Sequence, residues 1–372
     1  MNNQSENLMV LDLEALASNL DYTKHLAGPE KQVIASIKAN AYGHDVSLIA
    51  CALQEKQVDM LATGNIDDAR ILRACAVDTP LLLFAYATAE NTVDAAKEGF
   101  ISTIPNLTSA ISLDAITSVP IPVYLKIDCG LGRLGAPLSI AKDFVTKVHQ
   151  LKNLKVEGIY THVPFPDVGS SPWAQEKLKQ FDEFIQDLES NGYSIPVTQA
   201  MGSCCVLAGL RDRSSAICVG HALYGLSPFS SEQAPTIQRL RPVVHSIYST
   251  LIHIGRHEKG SDIATGGLYG TENAHSVGVI PLGMAMGMRP PPENKELVVL
   301  VKGKRCRIMA VSLEHITINL DNVENVAIGD RVTIIGRDHD ESISLQELAY
   351  VWQVTPLQAL ISMSGKFSVR SI

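Results

Sequence analysis

The stretch Ile34–Asp45, IASIKANAYGHD, ends an apolar run and sets Lys38, Asn40, Tyr42 and His44 directly beyond it. Apolar residues followed at once by chemistry-bearing polar ones mark the C-terminal end of a buried parallel strand. Outward from this segment, VIASI is the first of eight short apolar runs between Lys31 and about Ser227, followed by DMLA, PLLLF, FISTI, PVYLKI, VEGIY, PVTQA and SAICV. Amphipathic stretches separate them. The clearest begins at Ser171-Pro172, a capping serine before a proline at the first helical position, and places Leu178, Phe181, Phe184, Ile185 and Leu188 on one face. This alternation predicts a (β/α)8 TIM-like barrel, with a doubly wound α/β sheet as the competitor.

After about Arg239 the pattern becomes β-branched without long helices, as in VHSIYSTLIHI, SVGVIPL, ELVVLVKGK, CRIMAVSL and RVTIIG. This predicts a C-terminal all-β domain, in which the Pro-rich segment 289–292 is a loop between strands. The expected division is a barrel over 9–235 and a β domain formed by 1–8 with 236–372.

The chain has 372 residues, 46% hydrophobic and 19% charged, the composition of a folded protein that can bury more than one core. A formal net charge of −8 with no run of Lys or Arg argues against nucleic acid and anionic membranes as partners. The start, MNNQSENLMVLDLEAL, lacks a basic segment followed by an apolar one, and nowhere do eighteen apolar residues run together. A cytoplasmic location is therefore expected. Seven scattered cysteines without CxxC spacing argue against both a disulfide framework and a zinc site, so no metal is expected.

Lys38 is the centre of the chemistry. A lysine at the mouth of an apolar strand loses its proton more readily than in water and can form a Schiff base with an aldehyde cofactor. An isolated lysine at a strand end would ordinarily be a snorkelling side chain. Downstream, Gly202 and Gly220 allow close backbone approach, and the Ser203 hydroxyl with N–H groups at strand-to-helix turns suits a phosphate dianion. Each of these residues taken singly could equally be making a βα turn.

Taken together they do more, because IASIKANAYGH resembles the signature segment of alanine racemases. In that family the lysine carries pyridoxal 5′-phosphate and the tyrosine, here Tyr42, reaches its phosphate. LKIDCGLGRLG (125–135) resembles the segment whose arginine, here Arg133, contacts the cofactor's phenolic oxygen, with Lys126 beside it. GIYTH (158–162) matches the strand whose histidine, here His162, lies against the cofactor ring. MGSCC (201–205) stands where the family has Asn-Ser, so Ser203 is the phosphate-binding hydroxyl and Gly202 replaces the asparagine. ICVGHALYGLSP (217–228) resembles the segment whose backbone N–H groups, here of Gly220 and His221, bind phosphate. TGGLYG (265–270), IPLGMAMG (280–287) and VSLE (311–314) follow in the family's order, so the resemblance covers nearly the whole chain.

The family pattern also breaks at defined places. Racemisation needs a proton donor and acceptor on each face of the substrate α-carbon. The resemblance assigns one face to Lys38 and the other to a tyrosine of a partner subunit's β domain, and that position is Thr265 here, with Tyr269 four strand residues away. A threonine hydroxyl is too weak an acid to replace a phenol, whose ordinary pKa is about 10. Cys218 occupies the place of the arginine that faces the cofactor's pyridine nitrogen. There it either pairs with His162 to tune the ring or fills space as an inert thiol. Met284 and Met286 replace tyrosine and aspartate, and Ile372 stands for a C-terminal tyrosine. The substrate gate implied by the resemblance is Ser312 and Leu313 of the partner subunit with Met284.

The resemblance therefore implies a pyridoxal-phosphate-dependent homodimer with shared active sites, acting at the α-carbon of a small amino acid, most simply as a divergent racemase. Two alternatives stay open. One is chemistry on a single face, such as decarboxylation, retro-aldol cleavage or β-elimination, which Thr265 and Cys218 favour. The other is a non-catalytic pyridoxal-phosphate-binding protein, against which the β domain argues.

Overall fold

The structure, a computed structural model, describes residues 7–84, 89–230, 235–263, 269–270 and 274–372. The chain forms two compact units: residues 14–41 with 46–242, and residues 1–13 with 42–45 and 243–372.

A first strand, β1 (Leu8–Leu11), belongs to the second of these units, so the barrel begins with β2 (Gln32–Ser36). Its other strands are β3 (Met60–Thr63), β4 (Leu81–Leu83), β5 (Ile101–Ile104), β6 (Ile121–Asp128), β8 (Leu154–Tyr160), β9 (Val197–Gln199) and β10 (Ala216–Val219), with the two-residue β7 (Ala136–Pro137) beside β6. These are the eight expected strands, and they run parallel in the order β5-β4-β3-β2-β10-β9-β8-β6. Pairing of β5 with β6, Ser102 opposite Val123, closes the ring. An open doubly wound sheet is thereby ruled out.

Closure also requires the first and last strands to meet, and Cys218 of β10 lies opposite Ile34 of β2. Beneath that pair the Lys31 ammonium is tied to Asp212, 2.8 Å from Oδ1, and to the Ser214 carbonyl. Both side chains are almost fully buried. Inside, Ile34, Ala62, Leu82, Tyr124, Tyr160 and Ala216 pack into one cluster, each from a different strand. The long helix Ser171–Ser190 buries Ala174, Leu178, Phe181, Ile185 and Leu188, the face expected with Phe184 at its edge. The capping position falls one residue earlier than expected, at Ser170.

The second unit is β-rich. Strands β11 (Val244–Thr250) and β19 (Arg331–Asp338) pair antiparallel, and β1 completes this sheet between β11 and β21 (Ser368–Ser371). Two eight-residue helices, Leu345–Trp352 and Pro356–Met363, join a unit expected to be all-β. The segment 289–292 is a loop. Among the described residues no helix is long and apolar enough to cross a membrane.

One buried amide pins the end of the barrel chain to its first helix. Asn19, 1% exposed, donates to the carbonyls of Leu223 (3.0 Å) and Arg241 (2.7 Å) and accepts from the Arg241 N–H (2.8 Å). Gly225 lies close by with φ +71°, where a Cβ would meet the Arg241 carbonyl at 2.1 Å. Asn19→Leu removes these three hydrogen bonds, the one to Leu223 fully buried, so it should lower the unfolding free energy by about 2–4 kcal/mol. Urea denaturation measures this, and a loss below about 1 kcal/mol contradicts the assigned role.

Candidate active site

The C-terminal strand ends gather the expected residues of the barrel unit. Lys38 follows β2 directly and its side chain reaches solvent at the open mouth, 6.0 Å from the centre of the Phe84 ring. Burial of its ammonium nonetheless lowers its pKa, the Cys218 sulfur opposes this and the Arg133 charge adds to it. The result is an amine that is reachable yet easier to deprotonate than a free lysine.

The chain leaves Lys38 in an unusual way. Ala39, Asn40, Ala41 and Tyr42 all have φ between 53° and 57°, a left-handed turn of four non-glycine residues closed by the Ala41 N–H to Ile37 carbonyl bond at 2.9 Å. Each such residue costs roughly 1–2 kcal/mol. Asn40 holds the turn from its side chain, accepting from the Val46 N–H at 2.9 Å. Strain of this kind persists only where the surroundings fix it, and it concentrates at functional sites. Nothing in the sequence announces it. Tyr42, 6% exposed, lies within the second unit.

Around Lys38 stand three more basic groups. Lys126 projects into the barrel, its Nζ 4.3 Å from the centre of the Tyr160 ring and without a hydrogen-bond acceptor among the described residues. Burial brings its pKa down to about 7. His162, at the end of β8, falls to about 3 through burial, with Lys126, Lys38 and Arg133 adding repulsion. His221 falls to about 4 through burial and the Lys38 charge. Cys218 is half-buried, and desolvation raises its thiol to about 11, against the pull of Lys38 and Lys126. It therefore stays a neutral thiol at physiological pH, beside imidazoles that stay neutral too.

Ser203 sits at the start of a short helix, Ser203–Leu207, only 7% exposed. Its Oγ accepts from the N–H groups of Gly220 (3.1 Å) and Ala222 (3.3 Å). The convergence of one hydroxyl and two backbone donors adds Ala222 to the residues read from the sequence. A Cβ on Gly202 would make only ordinary contacts with Cys218 and His162, at 3.5 Å and 3.7 Å, so an asparagine there is not excluded by backbone or ring. Arg133 is exposed on a loop organised by Asp128, whose carboxylate accepts from the N–H groups of Gly130, Leu131 and Gly132 at 2.8–2.9 Å.

In the β-rich unit, Met284 and the pair Ser312 and Leu313 come together. The Met284 N–H donates to the Ser312 carbonyl (3.0 Å) and the Ala285 N–H to that of Leu313 (2.8 Å). Gly283 permits this approach, since a Cβ there would lie 2.5 Å from the Leu313 carbonyl. Met284 and Leu313 are 46% and 65% exposed, an apolar pair facing outward. Thr265 lies outside the described residues.

A closed parallel barrel with a desolvated lysine at its C-terminal mouth and convergent donors nearby defines a class, the barrel enzymes whose chemistry centres on a lysine. Residues 11–228 match the alanine racemase N-terminal domain and residues 244–370 the alanine racemase C-terminal domain. The chain belongs to the alanine racemase family, a family of pyridoxal-phosphate-dependent isomerases. It is 29% identical over 342 residues to the alanine racemase of Methanococcus maripaludis, covering 91% of each chain. Among solved structures it resembles the alanine racemase of E. faecalis (TM-score 0.88, 25% identity, 100% of each chain). The alanine racemase of Bacillus anthracis, solved with bound L-Ala-P, is also similar (TM-score 0.87, 26% identity, 99% of this chain and 95% of that one).

The depressed pKa of His162 has a consequence for stability. Between about pH 6.5 and about pH 3 the unfolded chain takes up a proton on this imidazole that the folded chain refuses, so stability falls as pH drops through that window. Replacing His162 with Gln should shrink the difference in unfolding free energy between pH 7 and pH 4.5 by on the order of 1 kcal/mol, allowing for solvent at the open mouth. Urea titrations at the two pH values test this. An unchanged difference means the imidazole is charged in the folded state.

Proposed function

We propose that this chain is a pyridoxal-phosphate-dependent racemase of a small amino acid, with Lys38 as the residue that bears the cofactor. The observation that carries this reading is the Lys38 amine, open to solvent at the barrel mouth and easier to deprotonate than a free lysine. The residues present suit the cofactor's parts. Ser203, with the backbone N–H groups of Gly220 and His221, would hold its phosphate. Arg133 would meet its phenolic oxygen, His162 would lie against its ring, and Cys218 would face its pyridine nitrogen.

When bound, the cofactor supplies a conjugated electron sink for charge left at a substrate α-carbon. The chain's own residues do the rest. Lys38, once freed by substrate, holds or delivers a proton on one face, a task for which a lowered pKa suits it. His162 and His221, held neutral by burial, do not act on Lys38 as acids at neutral pH. The neutral Cys218 thiol neither repels nor forces a proton on the ring nitrogen, unlike a permanent cation at that place. The second face would meet Thr265, Ser312 and Leu313 of the other subunit of a homodimer, where Met284 makes the gate apolar and the Thr265 hydroxyl is too weak an acid to stand in for a phenol.

Thr265 and Cys218 together favour a second reading, chemistry confined to the Lys38 face. Exchange in D2O separates the two, because racemisation puts deuterium into both enantiomers of recovered substrate, whereas single-face chemistry yields one enantiomer or a cleaved product.

Borohydride should fix pyridoxal phosphate to Lys38 in the purified protein, with loss of its visible absorption and a peptide of matching mass. Lys38→Ala should give no such peptide, and a fixed adduct elsewhere removes the assignment.

Interconversion of L- and D-alanine should be slow in the unaltered protein, because losing a positioned acid–base group costs on the order of 10²–10⁴ in rate. The double change Thr265→Tyr with Cys218→Arg should raise it at least tenfold. Wild-type turnover of roughly tens per second would show that another group serves the second face.

A further inference from the structure

The opposite end of the barrel holds a cavity that none of this chemistry uses. It has a volume of about 360 Å³ and is ringed by residues at or near the N-terminal ends of seven of the eight strands, β10 being the exception. That size falls within the range of small-molecule pockets. Its walls are apolar, with Ile34, Met60 and Val197 among them, and two carboxylates, Asp59 and Glu157, line it.

Each carboxylate keeps one oxygen uncommitted among the described residues. Asp59 accepts from the Val33 N–H through Oδ2 at 2.8 Å, leaving Oδ1. Glu157 meets the Lys155 ammonium through Oε1 at 2.5 Å, leaving Oε2, and Lys155 itself is 69% exposed. Among the described residues no cation lines the cavity.

The second observation is Tyr124. It lines the cavity, is 1% exposed, and its hydroxyl has no hydrogen-bond partner among the described residues. Its ring is seated against Gly158, where a Cβ would lie 2.6 Å from Cζ. Burial, with the Glu157 charge adding, raises its pKa to about 12, so it stays a neutral phenol. With no protein partner among the described residues, its hydroxyl is left to whatever fills the cavity that the residue lines.

The lining decides what could fill it. Two carboxylates repel an anion. Among the described residues no group of three His, Cys, Asp or Glu could hold a metal ion, and a hard cation would need several oxygens converging at about 2.0–2.6 Å. An apolar wall with carboxylates and an aromatic residue suits a weakly hydrated organic cation. We propose that this cavity binds a small organic cation, a methylated ammonium on a short apolar body, between Asp59 Oδ1, Glu157 Oε2 and Tyr124.

The probe is choline, whose quaternary nitrogen cannot condense with an aldehyde and so has no covalent route into the Lys38 site. Titration calorimetry uses the whole protein with pyridoxal phosphate fixed by borohydride, and its neutral carbon isostere 3,3-dimethylbutan-1-ol serves as comparison. Saturable choline binding is expected, at least about tenfold tighter than the isostere. Asp59→Asn, which keeps the acceptor for Val33, and Glu157→Gln should each weaken it by about tenfold, the order expected for a charge partner screened by solvent to near the dielectric of water. Urea midpoints within the wild-type range show that the variants fold. Absence of saturable binding, equal binding of the isostere, or folded variants that bind choline as wild type does overturns the proposal.

Discussion

Closure of the barrel between β2 and β10 is the constraint on which the rest depends. Lys38 extends from the end of β2 and Cys218 lies on β10, so residues from the beginning and end of the barrel sequence face one another only because these strands pair. The buried Lys31–Asp212 pair below the seam, with the Ser214 carbonyl as a further acceptor, locks the register. A buried ion pair adds little net stability against an apolar alternative, but it penalises mispairing strongly, because a slipped strand would strand a charge in the core. Register matters here more than strength. A shift of one residue would turn Cys218 from the barrel interior to the helices and carry Gly220 and Ala222 away from Ser203.

Burial at the mouth then sets the chemistry. Four nitrogen bases, those of Lys38, Lys126, His162 and His221, crowd one end of the barrel, and desolvation together with mutual repulsion drives all of them toward neutrality. Such a site favours the neutral form of each base, most completely for His162 and His221. The cost of desolvating these groups falls on the folded state, and the closed apolar core below has to offset it.

Much of this was legible in the chain because parallel barrel strands are buried on both faces and read as unbroken apolar runs. Their ends draw attention to Lys38 and Ser203, whereas Lys126, His162 and Cys218 were singled out by the family resemblance. Other features were not legible, for physical reasons. Ala39, Asn40, Ala41 and Tyr42 carry no glycine to mark a left-handed turn, so only the surrounding structure imposes it. Strands β1 and β21 are four residues each and acquire their identity from β11 rather than from their own pattern. The two helices near the C terminus did carry signals, Ser344 as a cap and the Thr355–Gln358 capping box before Pro356, which the surrounding β-branched sequence masks. The groove of strand starts around Tyr124 has no linear signature, since its residues are scattered from Gln32 to Val197.

The passage of the chain out of the barrel unit at Tyr42 and back at Val46 bears on modularity. Four residues just beyond Lys38 belong to the β-rich unit, and Gly43 packs there so tightly that a Cβ would lie 3.1 Å from the Leu360 carbonyl. Each unit is therefore discontinuous in the sequence. Recombination that exchanged residues 243–372 for those of a distant relative would have to match a graft inside the barrel segment as well. Evolution can drift each unit, but it cannot readily shuffle them.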